Sequence, residues 1–377
     1  MKTTFDINRD RRDGLLGYGW NLDRDVQFDH FLDCIVPSEE PRLYFEHVVV
    51  PHFPWCYLPS GRKYAVDNGS ELKPYGVSRT HPWETWDDDE LTATHGYQRY
   101  LLQVGYTDYL VGRLVERLKT AGLYDRCLLV ITADHGVSFR SRFSRRSPRS
   151  ESLPDILSIP LFVKRPEQHE GAVSDRNVET IDVLPTILDA IGVEPPLPTD
   201  GQSVLNDSIP ERPRKVFDNE GVRLTIDAAF DSKYDTLKRL LDKFGSGANP
   251  DGLYKIGPYA ELIGRRVADL TVNDPADFEI EMTRTADRLR GVPTQLAPCF
   301  FEGRVRANAN TKLPIHLAIA VDGTILAVTR TYLAQDIKNV WTALAPEDAF
   351  DSGQANVQIF AVSGTGPEVK LQPVRTR

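Results

Sequence analysis

The chain of 377 residues contains no apolar run approaching the roughly 18–20 residues that cross a bilayer. Its first residues, MKTTFDINRDRRDG, lack the apolar segment of a secretory signal, so the sequence predicts neither a membrane span nor a signal peptide here. Positive charge is also in deficit. Lys and Arg number 45 against 54 Asp and Glu, a net charge of −9, which excludes recruitment of nucleic acid or an anionic membrane by a global basic field. Only four cysteines occur, at 34, 56, 127 and 299, with no CxxC pair. That excludes a zinc knuckle and argues against a disulfide framework. Repeats and low-complexity tracts are lacking as well. What is present is a globular balance of 41% hydrophobic and 26% charged residues, over a length that suggests two or three domains.

Hydropathy patterning divides the chain. A charged lead-in over 1–40 carries one amphipathic stretch, Val26 to Ile35. RLYFEHVVVPHFPW is a compact apolar run ended by prolines and predicts a buried strand entering a loop. The longest helical pattern runs from Thr94 to Ala121, with Tyr97, Leu101, Val104, Val111, Val115 and Leu118 on one face and Gly122 as a terminator. CLLVITADHG and SIPLFVKRP then read as buried strands, and TIDVLPTILDAIG as a short helix with Asp182 as its N-cap. This alternation predicts an α/β domain over 41–210 with a mostly parallel sheet. A mixed connector over 211–290 holds helical patterns at Tyr234–Phe244 and Tyr259–Leu270. A small all-β module over 291–377 follows, with a hairpin at Asp322-Gly323 and a strand in NVQIFAV.

The chemistry-bearing residues gather at one junction. Asp134 and His135 stand where a strand ends, with Gly136 to turn the chain, and ligands collect beyond the carboxyl ends of strands in α/β sheets. A carboxylate beside an imidazole suits zinc or manganese better than an all-oxygen calcium cage. In isolation the same triplet also describes an ordinary surface junction. Just downstream, RSRFSRRSPR places five arginines between Arg140 and Arg149, either a solvated loop or a basic lid that draws in an anion. Asp108 interrupts the apolar helix face and needs a partner there, while Lys164 reads as a solvated flank of its strand.

The ordered series HVVVPHFPWCYLPSGRKY, YTDYLVGRLVERLKTAGLYDRCLLVITADHGVSF, SIPLFVKRP and ETIDVLPTILDAIG resembles the sulfatase family of the alkaline phosphatase superfamily, with its bacterial membrane-anchored members nearest in pattern. The resemblance implies an α/β sandwich and a divalent metal (Mn, Zn or Ca). It further implies hydrolysis or transfer of anionic sulfate or phosphate esters through a covalent intermediate. Asp134 and His135 match carboxy-proximal metal ligands of the family. His52, in PHFPW, matches a histidine that faces the substrate's anionic group, where it would donate a hydrogen bond or protonate the leaving oxygen. His47 falls inside the apolar run and reads as a core residue.

The family's nucleophile motif, Cys or Ser in C/S-x-P-x-R, belongs amino-terminal to the matched series and does not appear there. Cys56 to Arg62 needs a residue removed on each side of its Pro-Ser pair, Cys34 to Pro37 fails in the same way, and SEEPR at 38–42 departs by one residue. The expectation is therefore the carboxy-terminal part of a sulfatase-like domain, with half of the metal site. It would be inactive alone and work with a separate amino-terminal piece, or persist as a non-catalytic anion-binding or protein-interaction module.

Overall fold

The computed structural model describes residues 24–64, 85–147, 149–206, 214–217, 223–226, 230–246, 250–283, 296–308, 311–334 and 337–377. Helix α1 (Arg24–Cys34) leads into an extended segment over 35–50. The long helix α2 spans Glu90–Thr120, four residues earlier than the apolar pattern begins, because Asp89 caps it by accepting from Leu91 N at 2.9 Å. Gly122, at φ +66°, ends it in the left-handed region that glycine tolerates. Strand β1 (Leu129–Thr132), helix α3 (Leu153–Leu157), strand β2 (Leu161–Lys164) and helix α4 (Val183–Ala190) complete this part, followed by the hairpin β3 (Arg214–Phe217) and β4 (Arg223–Ile226).

Three expectations change here. The mostly parallel sheet is replaced, among the described residues, by an antiparallel pair in which Leu129 faces Lys164 and Thr132 faces Leu161. A continuous apolar run signals burial and carries no information on strand direction. Lys164 is no solvated flank, because its Nζ donates to the carbonyls of Asp125 (3.1 Å) and Arg165 (3.1 Å) and so staples the α2–β1 turn to β2. Residues 41–50 form no strand. Tyr44 and Val48 pack inward, while Leu43 (74% exposed) and Phe45 (76% exposed) face outward, and His47 is exposed with them, not in the core.

The remainder is β-rich. After α5 (Lys233–Phe244) and α6 (Asp251–Tyr254) come β5 (Thr271–Val272), β6 (Glu279–Met282), β7 (Phe300–Arg306), β8 (His316–Val321), β9 (Thr324–Arg330), β10 (Tyr332–Ala334), β11 (Ile337–Leu344), β12 (Val357–Ser363), β13 (Lys370–Pro373) and β14 (Arg375–Thr376). They build two five-stranded sheets, ordered β10-β11-β7-β6-β14 and β5-β13-β12-β8-β9. Pairing is antiparallel except for β5 on β13 and β6 on β14. The protein is thus a mixed α/β unit followed by a β-rich region. The Asp322-Gly323 turn has φ +48° and +79°, the primed geometry that a two-residue hairpin favours. The helix expected over Tyr259–Leu270 breaks into two 3₁₀ turns, Ala260–Leu262 and Val267–Asp269, with Gly264 at φ +89° between them.

Alternation along β8 explains the core. Leu317, Ile319 and Val321 face a cluster shared with Phe28 and Leu32 of α1 and Leu102, Tyr106 and Leu110 of α2. Ala318 and Ala320 face the other way, under Leu262 and its 3₁₀ turn. Each fully buried Leu or Ile contributes about 1.5–3 kcal/mol by transfer. The face of α2 that the apolar count selects is only half-buried except at Leu118. The deeply buried face runs through His95, Gln98, Arg99, Leu102, Gln103, Tyr106 and Leu110, and Asp108 lies on the exposed side.

His95, 7% exposed, sits between α2 and β11 with Nδ1 3.2 Å from Thr342 Oγ1, and Thr342 Oγ1 lies 3.0 Å from Tyr332 Oη. Burial, then Arg99 and Arg330, lowers its pKa to about 4 against the opposing effect of Asp89. The folded pKa lies below the unfolded value, so this contribution is present above about pH 6.5 and is lost as pH falls toward 4. Wild-type stability in denaturant melts should drop by roughly 3 kcal/mol from this site across that window. His95→Gln should make the drop shallower by that amount, with the lowered pKa of His52 leaving the rest; an unchanged pH profile would contradict the assignment.

Candidate anion and metal site

The PHFPW loop is held from two sides. Arg24, the first residue of α1 and 4% exposed, donates from Nη1 to His52 O at 2.7 Å and from Nη2 to Phe53 O at 3.0 Å. Gln103 of α2, fully buried, donates from Nε2 to His52 O at 2.9 Å, and its Oε1 accepts from Cys56 N at 3.0 Å and Tyr57 N at 3.3 Å. Arg99 adds a bond to Trp55 O at 3.1 Å. Below the loop lies an aromatic cluster of Trp55, Trp86 and Phe139, bordered by Phe53, Tyr97 and Tyr100.

Among the described residues the arginine-rich stretch after ADHG is tied down by backbone bonds and ion pairs. Ser138 N donates to Arg145 O at 2.9 Å, Trp86 N to Phe143 O at 3.0 Å, and Arg142 N to Trp86 O at 3.1 Å. Its arginines divide by task. Arg140 Nε pairs with Asp155 Oδ2 at 3.0 Å, Arg142 forks onto Asp88, and Arg149 is exposed. Arg145 is buried at 2% exposure with its guanidinium over the rings of Phe53 (5.6 Å) and Trp55 (5.4 Å), a cation–π arrangement. Arg146, half-exposed, donates from Nη2 to His52 Nε2.

Three guanidinium groups therefore bear on His52. Its Nδ1 donates to Phe53 O. Burial first, then the charges of Arg146, Arg24 and Arg145, lower its pKa to about 4, with the bond to Phe53 opposing. The ring is neutral at physiological pH.

Gly136 serves a different purpose from the sharp turn expected of it. A Cβ there would lie 2.2 Å from Asp155 O, and the glycine N–H donates to Ile156 O at 2.7 Å, so absence of a side chain lets the segment around the DHG triplet touch α3. Asp155, its side chain 5% exposed, then gathers the loop: its carboxylate accepts from Ser138 Oγ (2.8 Å), Arg140 Nε (3.0 Å), Thr236 Oγ1 (2.6 Å) and Arg239 Nη2. Sequence reasoning passed over Asp155, Gln103 and Arg24 because their partners lie far off along the chain, up to 84 residues away for Asp155.

Asp134 and His135 are exposed, at 71% and 38% of their side chains. His135 Nδ1 donates to Gly136 O at 2.7 Å, which leaves Nε2 as a lone-pair donor 3.7 Å from Asp134 Oδ2. Two metal bonds of about 2 Å each can bridge that separation, so the pair fits part of a divalent site. Among the described residues no group of three or more His, Cys, Asp or Glu side chains could hold a metal. Ser60 and Cys56 are not poised as nucleophiles: Ser60 Oγ donates to Glu347 Oε2 at 2.7 Å, and Cys56 is 1% exposed. Asp182 closes a capping box by accepting from Glu179 N at 2.8 Å and also accepts from Gln202 N at 2.9 Å, away from the first N–H groups of α4.

A family model described as Sulfatase matches residues 3–193, half of the chain. The chain belongs to the sulfatase family. Among its relatives are an ulvan-active sulfatase of Formosa agariphila, 22% identical over 55% of this chain and 39% of the relative, and the human N-sulphoglucosamine sulphohydrolase, 33% identical over 37% and 25%. An arylsulfatase of Volvox carteri is 22% identical over 84% of this chain and 50% of its own length. In none of the three does the match exceed half of the relative. This sulfatase-family chain keeps its arginine loop closed through Asp155. Asp155→Ala leaves two arginines without their carboxylate, at a cost of about 3 kcal/mol. Trypsin should then cut within 140–149 at least about tenfold faster than in wild type. An unchanged cleavage rate would show that the loop does not depend on Asp155.

Proposed function

We propose that this chain forms the anion-binding and carboxy-proximal metal-binding part of a sulfatase-type site, acting on sulfate or phosphate esters as a hydrolase or transferase. One observation carries the reading: Arg24, Arg145 and Arg146 converge on His52 of the PHFPW loop, and Arg145 and Arg146 lie on the connection that begins with Asp134 and His135. Cations so placed attract a tetrahedral oxyanion and hold it by charge-assisted hydrogen bonds. The indole Nε1 of Trp55, buried beside Arg145 without an acceptor among the described residues, supports the need for an acceptor there.

Asp134 and His135 would hold the divalent cation. Its chemistry, when bound, is to polarise an ester oxygen and lower the pKa of a bound nucleophile. This chain's own residues orient the ester: the loop arginines fix the transferred group, and Gln103 and Arg24 fix the loop. No third metal ligand among the described residues accompanies them, and the one stretch of sequence that meets S-x-P-x-R, SIPER at 208–212, follows the matched series instead of preceding it and lies outside the described residues, so catalysis is proposed to need a further piece carrying nucleophile and ligand. The same observation favours a second reading, an anion-binding module without turnover.

On its own the chain should show no turnover of an aryl sulfate or an aryl phosphodiester with manganese, zinc or calcium, and it should bind those metals weakly through two side chains. Turnover abolished by Asp134→Ala would refute the need for another piece. Turnover appearing only on mixing with a polypeptide that supplies the nucleophile would exclude the module reading.

A further inference from the structure

We infer that Arg146 is the residue that grips the transferred oxyanion, and that His52 is its positioning residue, accepting from the guanidinium through Nε2. The inference rests on the anion-site reading and inverts the role that the family resemblance implies for His52.

The bonding pattern decides the direction of each hydrogen bond. A backbone carbonyl only accepts, so the contact of His52 Nδ1 with Phe53 O puts the ring proton on Nδ1. A guanidinium only donates, so Nε2 must accept from Arg146. Among the described residues the charged groups facing the ring are Arg24 from α1 and Arg145 and Arg146 from the loop, and with burial they keep the second proton off until about pH 4. His52 thus has no N–H to turn toward an anion and no proton to give a leaving group.

Arg146 is in the opposite position. One N–H is spent on His52, and the rest of its fork belongs to a half-exposed side chain. On the same loop Arg140 and Arg142 are matched by Asp155 and Asp88, whereas no carboxylate among the described residues pairs with Arg146. A guanidinium with spare coplanar donors, oriented by an acceptor behind it and set in a field of like charge, suits an anion presenting two oxygens at once, as sulfate and phosphate groups do. Arg145 is buried over Phe53 and Trp55 and packs the loop onto them, whereas Arg146 is half-exposed.

Calorimetric titration of inorganic sulfate into the full chain tests this, because sulfate does not itself change protonation in the range used. Affinity should stay within about twofold between roughly pH 5.5 and 7.5, since neither Arg146 nor the neutral His52 titrates there. Arg146→Met should weaken binding about tenfold or more, and Arg146→Lys, which keeps the charge but not the fork, by an intermediate factor. His52→Gln, whose amide oxygen can still accept from Arg146, should stay within about threefold of wild type. Thermal melts of each variant establish that it is folded. Affinity that rises as pH falls through about 6.5 in wild type, and is lost in His52→Gln but kept in Arg146→Met, would make His52 the anion contact and overturn the inference while leaving the anion site standing. Absence of sulfate binding by wild type would overturn both.

Discussion

The buried polar stripe of α2 is the constraint on which the other elements depend. From Asp89 to Gln103 the helix points cap, imidazole, amide and guanidinium groups inward, and each meets a partner on a different element. Asp89 accepts two bonds from Arg330 of β9, both at 3.0 Å, and His95 meets Thr342 of β11. Gln98 reaches Leu253 O at 2.8 Å, and Gln103 and Arg99 hold the 52–57 loop. A buried polar group without its partner costs about 1–3 kcal/mol, so these positions tolerate one arrangement of loop, helix and β-region and penalise the rest. Apolar packing supplies most of the stability, and the stripe sets the register.

The same logic governs the charge around His52. Buried cations are expensive, and the structure offsets them locally: Arg24 with loop carbonyls, Arg145 with aromatic faces, Arg140 with Asp155. These arrangements use the arginines as structural members. Only Arg146 combines partial exposure, an orienting acceptor and no carboxylate among the described residues, so the loop concentrates its binding capacity in one side chain. A run of five arginines is therefore not five equivalent cations.

Much of the fold was legible. The amphipathic α5, the Asp322-Gly323 hairpin, the strand in NVQIFAV and the termination of α2 at Gly122 follow from local chemistry, because turn geometry and helix periodicity depend on neighbours in the chain. The errors share a cause. The parallel sheet, the buried strand at 41–50 and the buried face of α2 each turn on what lies across from a segment, which periodicity does not encode. Gly264 broke a helical pattern whose apolar spacing alone looked sufficient. The candidate site divided likewise. Asp134, His135 and His52 were visible as motif residues, yet their exposure, protonation and partners were not.

The sequence by itself determined the family, through an ordered series of short motifs, and the composition of the arginine loop. It also bounded the local vocabulary of caps, turns and helices, since these are set by side chains within a few residues of one another. The tertiary structure alone decided which arginine faces His52, that His52 is a neutral acceptor, and that Asp155, Gln103 and Arg24 support the site. Those outcomes rest on contacts between residues 28 to 94 positions apart. Desolvation and charge at such distances exist only once the chain has folded.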